Sequence, residues 1–191
     1  MDTTRPSLLL RIRDRGDADA WHTFDEIYRP MLYRFARARG LSCADAEEVS
    51  QHCLTVISER IAEFSYDRRK GRFKGWLRTL VNNRVRNLLR DRREYQQATG
   101  DLDHRQEREP EPAEAFERIW LEEHLWHCLR QLRSEVEPRT YEVFRRYVID
   151  DQPVEEVCEA LNVTPNNVYT VKWRLTERVA ARMRDLLDGT V

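Results

Sequence analysis

Two segments carry side chains whose types and spacing suit nucleic acid. The first is residues 154–179, VEEVCEALNVTPNNVYTVKWRLTERV. Val168, Val171, Leu175 and Val179 repeat at the helical period and form an inner face. Asn166, Asn167, Tyr169, Thr170, Trp173, Arg174 and Arg178 are left on the outer face. Asn pairs bidentately with adenine, and Arg with guanine or phosphate. The second segment is residues 64–93, FSYDRRKGRFKGWLRTLVNNRVRNLLRDRR. Basic residues alternate there with Phe64, Tyr66, Phe73 and Trp76. Arg78, Asn82, Asn83, Arg86, Asn87, Arg90 and Arg93 lie off its apolar stripe. Cations that track phosphates beside aromatic rings suit single-stranded or opened nucleic acid. Asp67–Arg93 holds eleven Lys/Arg against two Asp, a self-repelling density unless an anion neutralises it.

Bond-breaking chemistry has no comparable footing. There is no GxxxxGK[ST] phosphate loop, no HExxH and no GxSxG. His124, His127 and Cys128 could put two ligands on one helix turn, but no second Cys/His pair completes a tetrahedral site. Cys43, Cys53, Cys128 and Cys158 are far apart, with no CxxC. They read as small buried residues of a reducing cytoplasm. No catalytic residue, metal or cofactor is expected.

The elements that must position these residues read as helices. Ala18, Trp21, Phe24, Ile27, Tyr28, Met31 and Phe35 step by three or four, with Pro30 expected to kink or interrupt the run and Gly40 to end it. Ser42, three before Asp45, signals the cap of a second helix with Ala46, Val49, Cys53, Ile57 and Ile61 on its apolar face. A third begins near Phe73 and carries Trp76, Leu77, Leu80, Val81, Val85, Leu88 and Leu89. Phe116, Ile119, Trp120, Trp126, Leu129 and Leu132 line a fourth; Tyr141, Phe144, Tyr147 and Val148 a fifth. Pro153 opens a short helix to Leu161. Asn162-Val163 turns, and Thr164 caps a last helix with Pro165 at its first position. A short helix, a tight turn and a capped second helix make a helix-turn-helix. No sustained alternation calls for strands, so the fold class is all-α.

Residues 96–114, QQATGDLDHRQEREPEPAE, lack apolar periodicity and read as a flexible polar linker, able to reach roughly 60 Å when stretched. Asp101–Glu123 holds nine Asp/Glu against three Arg, whereas Pro165–Arg184 holds five Lys/Arg against one Glu. Two basic blocks thus flank an acidic one, and the total of −1 conceals them. No apolar run reaches the length of a membrane span. The three consecutive Leu near the start are too few for a signal-peptide core.

Blander readings exist for each feature. The helix-turn-helix could be an ordinary hairpin with a solvated face. Phe73 and Trp76 sit on the apolar stripe and read first as core. The polar face of residues 45–61, with Asp45, Glu48, Gln51 and Thr55, would by itself suggest only a solvated helix.

Taken in order, the segments resemble the extracytoplasmic-function sigma factors of bacterial RNA polymerase. DAEEVSQ at 45–51 looks like the family's segment that grips the largest polymerase subunit. FKGWLRTLVNN at 73–83 looks like the start of the −10 melting and reading segment, and 154–178 like the −35 reader. The resemblance implies three parts: region 2 over 1–95, an acidic linker over 96–114, and region 4 over 115–191. It implies core-polymerase contacts by Asp45, Glu47, Glu48 and Gln51. It implies −10 contacts by Tyr66, Lys70, Arg72, Lys74, Trp76, Asn83, Arg84, Arg86, Asn87 and Arg90. It implies −35 contacts by Asn166, Asn167, Tyr169, Thr170, Trp173, Arg174 and Arg178. Its partners would be the beta-prime and beta subunits of core RNA polymerase and promoter DNA, in the cytoplasm; relatives often have an anti-sigma factor as well. This chain departs from the family at Glu48, Asn87, Asn162, Asn166, Tyr169 and Val171, and the changes at Tyr169 and Val171 leave its −35 sequence open. A stand-alone helix-turn-helix regulator is the main alternative, although it leaves residues 64–93 without a task. A nucleic-acid enzyme and an adaptor using the 45–59 face are the others.

Overall fold

The computed structural model describes residues 8–62, 73–99 and 112–188. The protein is all-α, with no strand among the described residues. Helices α1 (Leu8–Arg11), α2 (Ala18–Ala38), α3 (Cys43–Arg60) and α4 (Phe73–Thr99) form one compact unit with α5 (Pro112–Glu135) as far as Glu123. A second unit, His124–Leu187, holds the rest of α5, α6 (Pro138–Phe144), a π-helical turn (Arg145–Ile149), α7 (Val154–Leu161) and α8 (Pro165 onward).

The first unit's core is the set of stripes the 3.6 period marks. Phe24, Ile27, Tyr28, Met31 and Phe35 of α2 are buried with Ala46, Val49, Cys53 and Ile57 of α3 and Phe73, Leu77, Val81 and Val85 of α4. Phe24 stacks on Tyr28 at 4.2 Å, and Phe73 meets both rings edge-on at 5.9 and 5.5 Å. Pro30 does not interrupt α2, despite its missing N–H. Ile27, Tyr28, Met31 and Leu32 are buried on either side and hold the helix to the core. The helix ends at Gly40, whose φ of 83° suits a residue without Cβ. There Leu41 N donates to Ala36 O and Gly40 N to Arg37 O, the Schellman pattern. Ser42 Oγ then accepts from Asp45 N at 3.1 Å and starts α3.

Three features depart from the sequence expectations. Leu9 and Ile12, on and just after α1, are buried although the pattern there is too short to mark a helix. Ala115, Phe116, Ile119 and Trp120 are buried in the first unit: Phe116 meets Phe35 at 5.5 Å and Trp120 meets Tyr28 at 5.6 Å. The division between the two compact units falls within α5, after Glu123. Helix also occupies 96–99 and 112–114, inside the stretch read as linker; 100–111 lie outside the described residues.

In the second unit, Cys128, Leu129, Leu132, Val143, Phe144, Val157, Val168, Val171, Leu175 and Val179 form one core. Trp126, expected on the inner face of α5, is 46% exposed, because Cys128 and Leu132 define a face nearly half a turn away. Val148 is exposed as well, since the π-helical turn shifts the register that Tyr141 and Phe144 begin.

Candidate nucleic-acid interface

The turn between α7 and α8 sets the start of α8. Asn162 takes the left-handed conformation at φ 49°, which Asn tolerates better than most residues. Arg139 Nη2 donates to Leu161 O at 2.6 Å and to Asn162 O at 3.2 Å, bracing the turn from α6. Thr164 Oγ1 accepts from Asn167 N at 3.3 Å, the expected cap, with Pro165 next. Asn166, Asn167, Tyr169, Thr170, Trp173, Arg174 and Arg178 are all exposed on α8. Thr170 Oγ1 donates to Asn166 O at 2.8 Å, and Tyr169 packs edge-on to Tyr147 at 5.9 Å. Arg178 instead donates to Glu135 at 2.9 Å, so part of its charge is spent within the unit. Lys172, outside the expected set, lies 5.4 Å from the Tyr147 ring centre. Nothing in its spacing separates it from an ordinary solvated lysine.

On α4 the structure gathers Asn83, Arg86, Asn87 and Arg90, all exposed, at i, i+3, i+4 and i+7. They form one ridge about 10 Å long, facing away from Phe73, Leu77, Val81 and Val85. Arg84 does not join it. It is half-buried and donates to Glu48 of α3. Lys74 is also occupied: it donates to Glu117 of α5 and lies 5.5 Å from the centre of the Trp120 ring. Trp76, read first as core, is half-buried. Tyr66, Lys70 and Arg72 lie outside the described residues.

The four acidic and amide candidates of α3 fall on one face. Asp45 accepts from Ser42 Oγ at 2.7 Å as part of the cap. Glu47 and Gln51 accept from Arg29 Nη1 at 3.3 and 3.2 Å, while the same guanidinium grips Asp25 at 2.9–3.1 Å. Arg29 thus ties α2 to this face. Its only sequence signal is the Asp25 spacing of four. Gln51 also lines a surface depression with Trp21, Phe24, Asp25, Leu54, Thr55 and Ser58, where an apolar floor adjoins amide and hydroxyl groups.

The two buried thiols offer little reactivity. Burial raises Cys53 to about 12 and Cys128 to about 11, with Arg84 and Arg182 only partly opposing it. Cys43 is exposed and Cys158 half-buried, unlike the expectation that all four cysteines are buried. Among the described residues no group of three or more His, Cys, Asp or Glu could hold a metal ion.

Residues 24–95, which contain both the α3 face and the α4 ridge, match the family model Sigma-70 region 2. This segment is similar to sigma-70 region 2. The match supports a sigma-70 family member, and with it a role in promoter recognition and melting by RNA polymerase. The match runs from within α2 into α4 and does not extend to α5–α8. No curated protein matches the chain. Among the described residues no helix is long and apolar enough to cross a membrane.

Proposed function

We propose that the chain is a sigma factor of the extracytoplasmic-function type, with region 2 over 1–95, an acidic linker over 96–114 and region 4 over 115–191. The observation that carries this reading is the region 2 match together with the exposed Asn83–Arg90 ridge inside it. Region 2 docks on core polymerase through the α3 face of Asp45, Glu47, Glu48 and Gln51. The α4 ridge then holds the opened −10 strand, with Asn83 and Asn87 on bases and Arg86 and Arg90 on phosphates. A flipped base costs a few kcal/mol, so pocket and phosphate contacts must offset it. Tyr66, Lys70, Arg72 and Trp76 are the proposed surroundings of that base. Lys74 and Arg84 become available once Glu117 and Glu48 are drawn elsewhere. Region 4 presents the exposed face of α8 to the −35 major groove, where the first turns of a recognition helix meet base edges. RNA synthesis itself belongs to the polymerase.

Initiation by core polymerase reconstituted with the chain tests the assignments. Asn83→Ala is expected to lower open-complex formation around −10 roughly tenfold, the scale of one bidentate base contact. Arg174→Ala is expected to weaken protection upstream while leaving opening, once bound, intact. Parent-like initiation by both variants across a promoter library would refute the residue roles.

A further inference from the structure

The buried stripe of α8 is Val168, Val171, Leu175 and Val179. At 3.6 residues per turn, the ridge opposite it is Asn166, Thr170, Trp173 and Glu177. No cation lies on that ridge. Lys172 falls to one side of it, and Arg174 and Arg178 to the other. A helix laid into a groove this way sends its cations toward the two phosphate walls and its central ridge toward the base edges. At the middle of the ridge stands Trp173, 72% exposed, more than any other large hydrophobic residue among the described ones. Tyr169, one turn earlier and 49% exposed, flanks it, with its ring set against Tyr147. Single exposed apolar residues are ordinary on protein surfaces. This one sits on a cation-flanked ridge beside a second aromatic.

The chemistry of indole narrows what it can read. Its Nε1–H only donates, so it cannot accept from the amino group of cytosine or adenine. Its carbon edge offers apolar contact, and thymine alone presents a methyl group in the major groove. We infer that Trp173 is a specificity-determining residue that packs on a thymine methyl in the upstream promoter element. Asn166 and Thr170 supply the polar contacts on the same ridge. The inference rests on the proposed placement of α8 in the −35 groove.

The test uses core polymerase reconstituted with the full chain and a promoter duplex selected from a library. Thymines of the upstream element are replaced one at a time by uracil, which lacks only the methyl. One replacement is expected to weaken binding about fourfold, the value of one buried methyl-sized group. Trp173→Ala should weaken the thymine duplex at least as much and be blind to that uracil. Trp173→Phe should retain the sensitivity. Because Trp173 is so exposed, neither change should unfold the unit. Uracil duplexes that all bind like thymine, or a Trp173→Ala variant as uracil-sensitive as the parent, would overturn the inference alone. Failure to select any upstream element would overturn the −35 reading along with it.

Discussion

At Glu142 one carboxylate takes three N–H donors: Arg145 Nε at 2.9 Å, Arg145 Nη2 at 2.7 Å and Arg146 Nε at 2.7 Å. Arg145, and then Arg146, hold its pKa down to about 2. The folded value lies below the ordinary 4.5, so the folded state favours the ionised form. The resulting stability is present above pH 4.5 and is lost as pH falls toward 2. Glu142→Gln is expected to flatten the pH dependence of the unfolding midpoint in that window. Its cost at neutral pH should be about 1 kcal/mol or less, because water screens a pair at this exposure. Thermal melts from pH 6 to pH 2 check this, and parallel slopes for parent and variant would contradict it. The i,i+3 and i,i+4 spacings were legible in the sequence. The π-helical turn was not, because no residue type marks where a helix widens by one residue.

The helices themselves were largely legible, because burial on one side writes a 3.6-residue period into the chain. Ser42 and Thr164 were readable as caps for a similarly local reason: the hydroxyl and the backbone N–H that donates to it lie three residues apart. Thr164→Ala should destabilise the second unit by about 1 kcal/mol. It should also loosen the first turn of α8, which carries Asn166 and Asn167. Amide exchange in that turn is the readout, and unchanged protection would deny the cap its role. The site of α5 was less legible. Phe116, Ile119 and Trp120 make a stripe that any core could accept, and nothing local says which one does. Trp120→Ala is expected to cost the first unit about 3–5 kcal/mol. Chemical denaturation followed by a probe in the first unit would show it. A loss felt only by the second unit would contradict the packing of Trp120 on Tyr28. Of the candidate site, the exposed ridge of α4 followed from the period alone. The pairing of Arg84 with Glu48 and of Lys74 with Glu117 joins residues 36 and 43 positions apart, beyond any sequence pattern.

For the molecule as a whole, the balance of charge near zero conceals two basic blocks of sequence with an acidic one between them in the chain. Within the first unit, Glu117 engages Lys74, while Glu122 and Glu123 each meet Arg34 at 2.5 Å. Acid from α5 thus neutralises part of the first unit in the chain alone; under the proposed function this should keep the chain's own affinity for DNA below that of the polymerase complex. In the proposed function the chain gives core polymerase a choice of start site. Run-off transcription from a randomised promoter library, with purified core enzyme and with or without the chain, measures it most directly. The expected result is a set of chain-dependent transcripts whose templates share an upstream and a −10 element. A transcript pattern that the chain leaves unchanged would contradict the account.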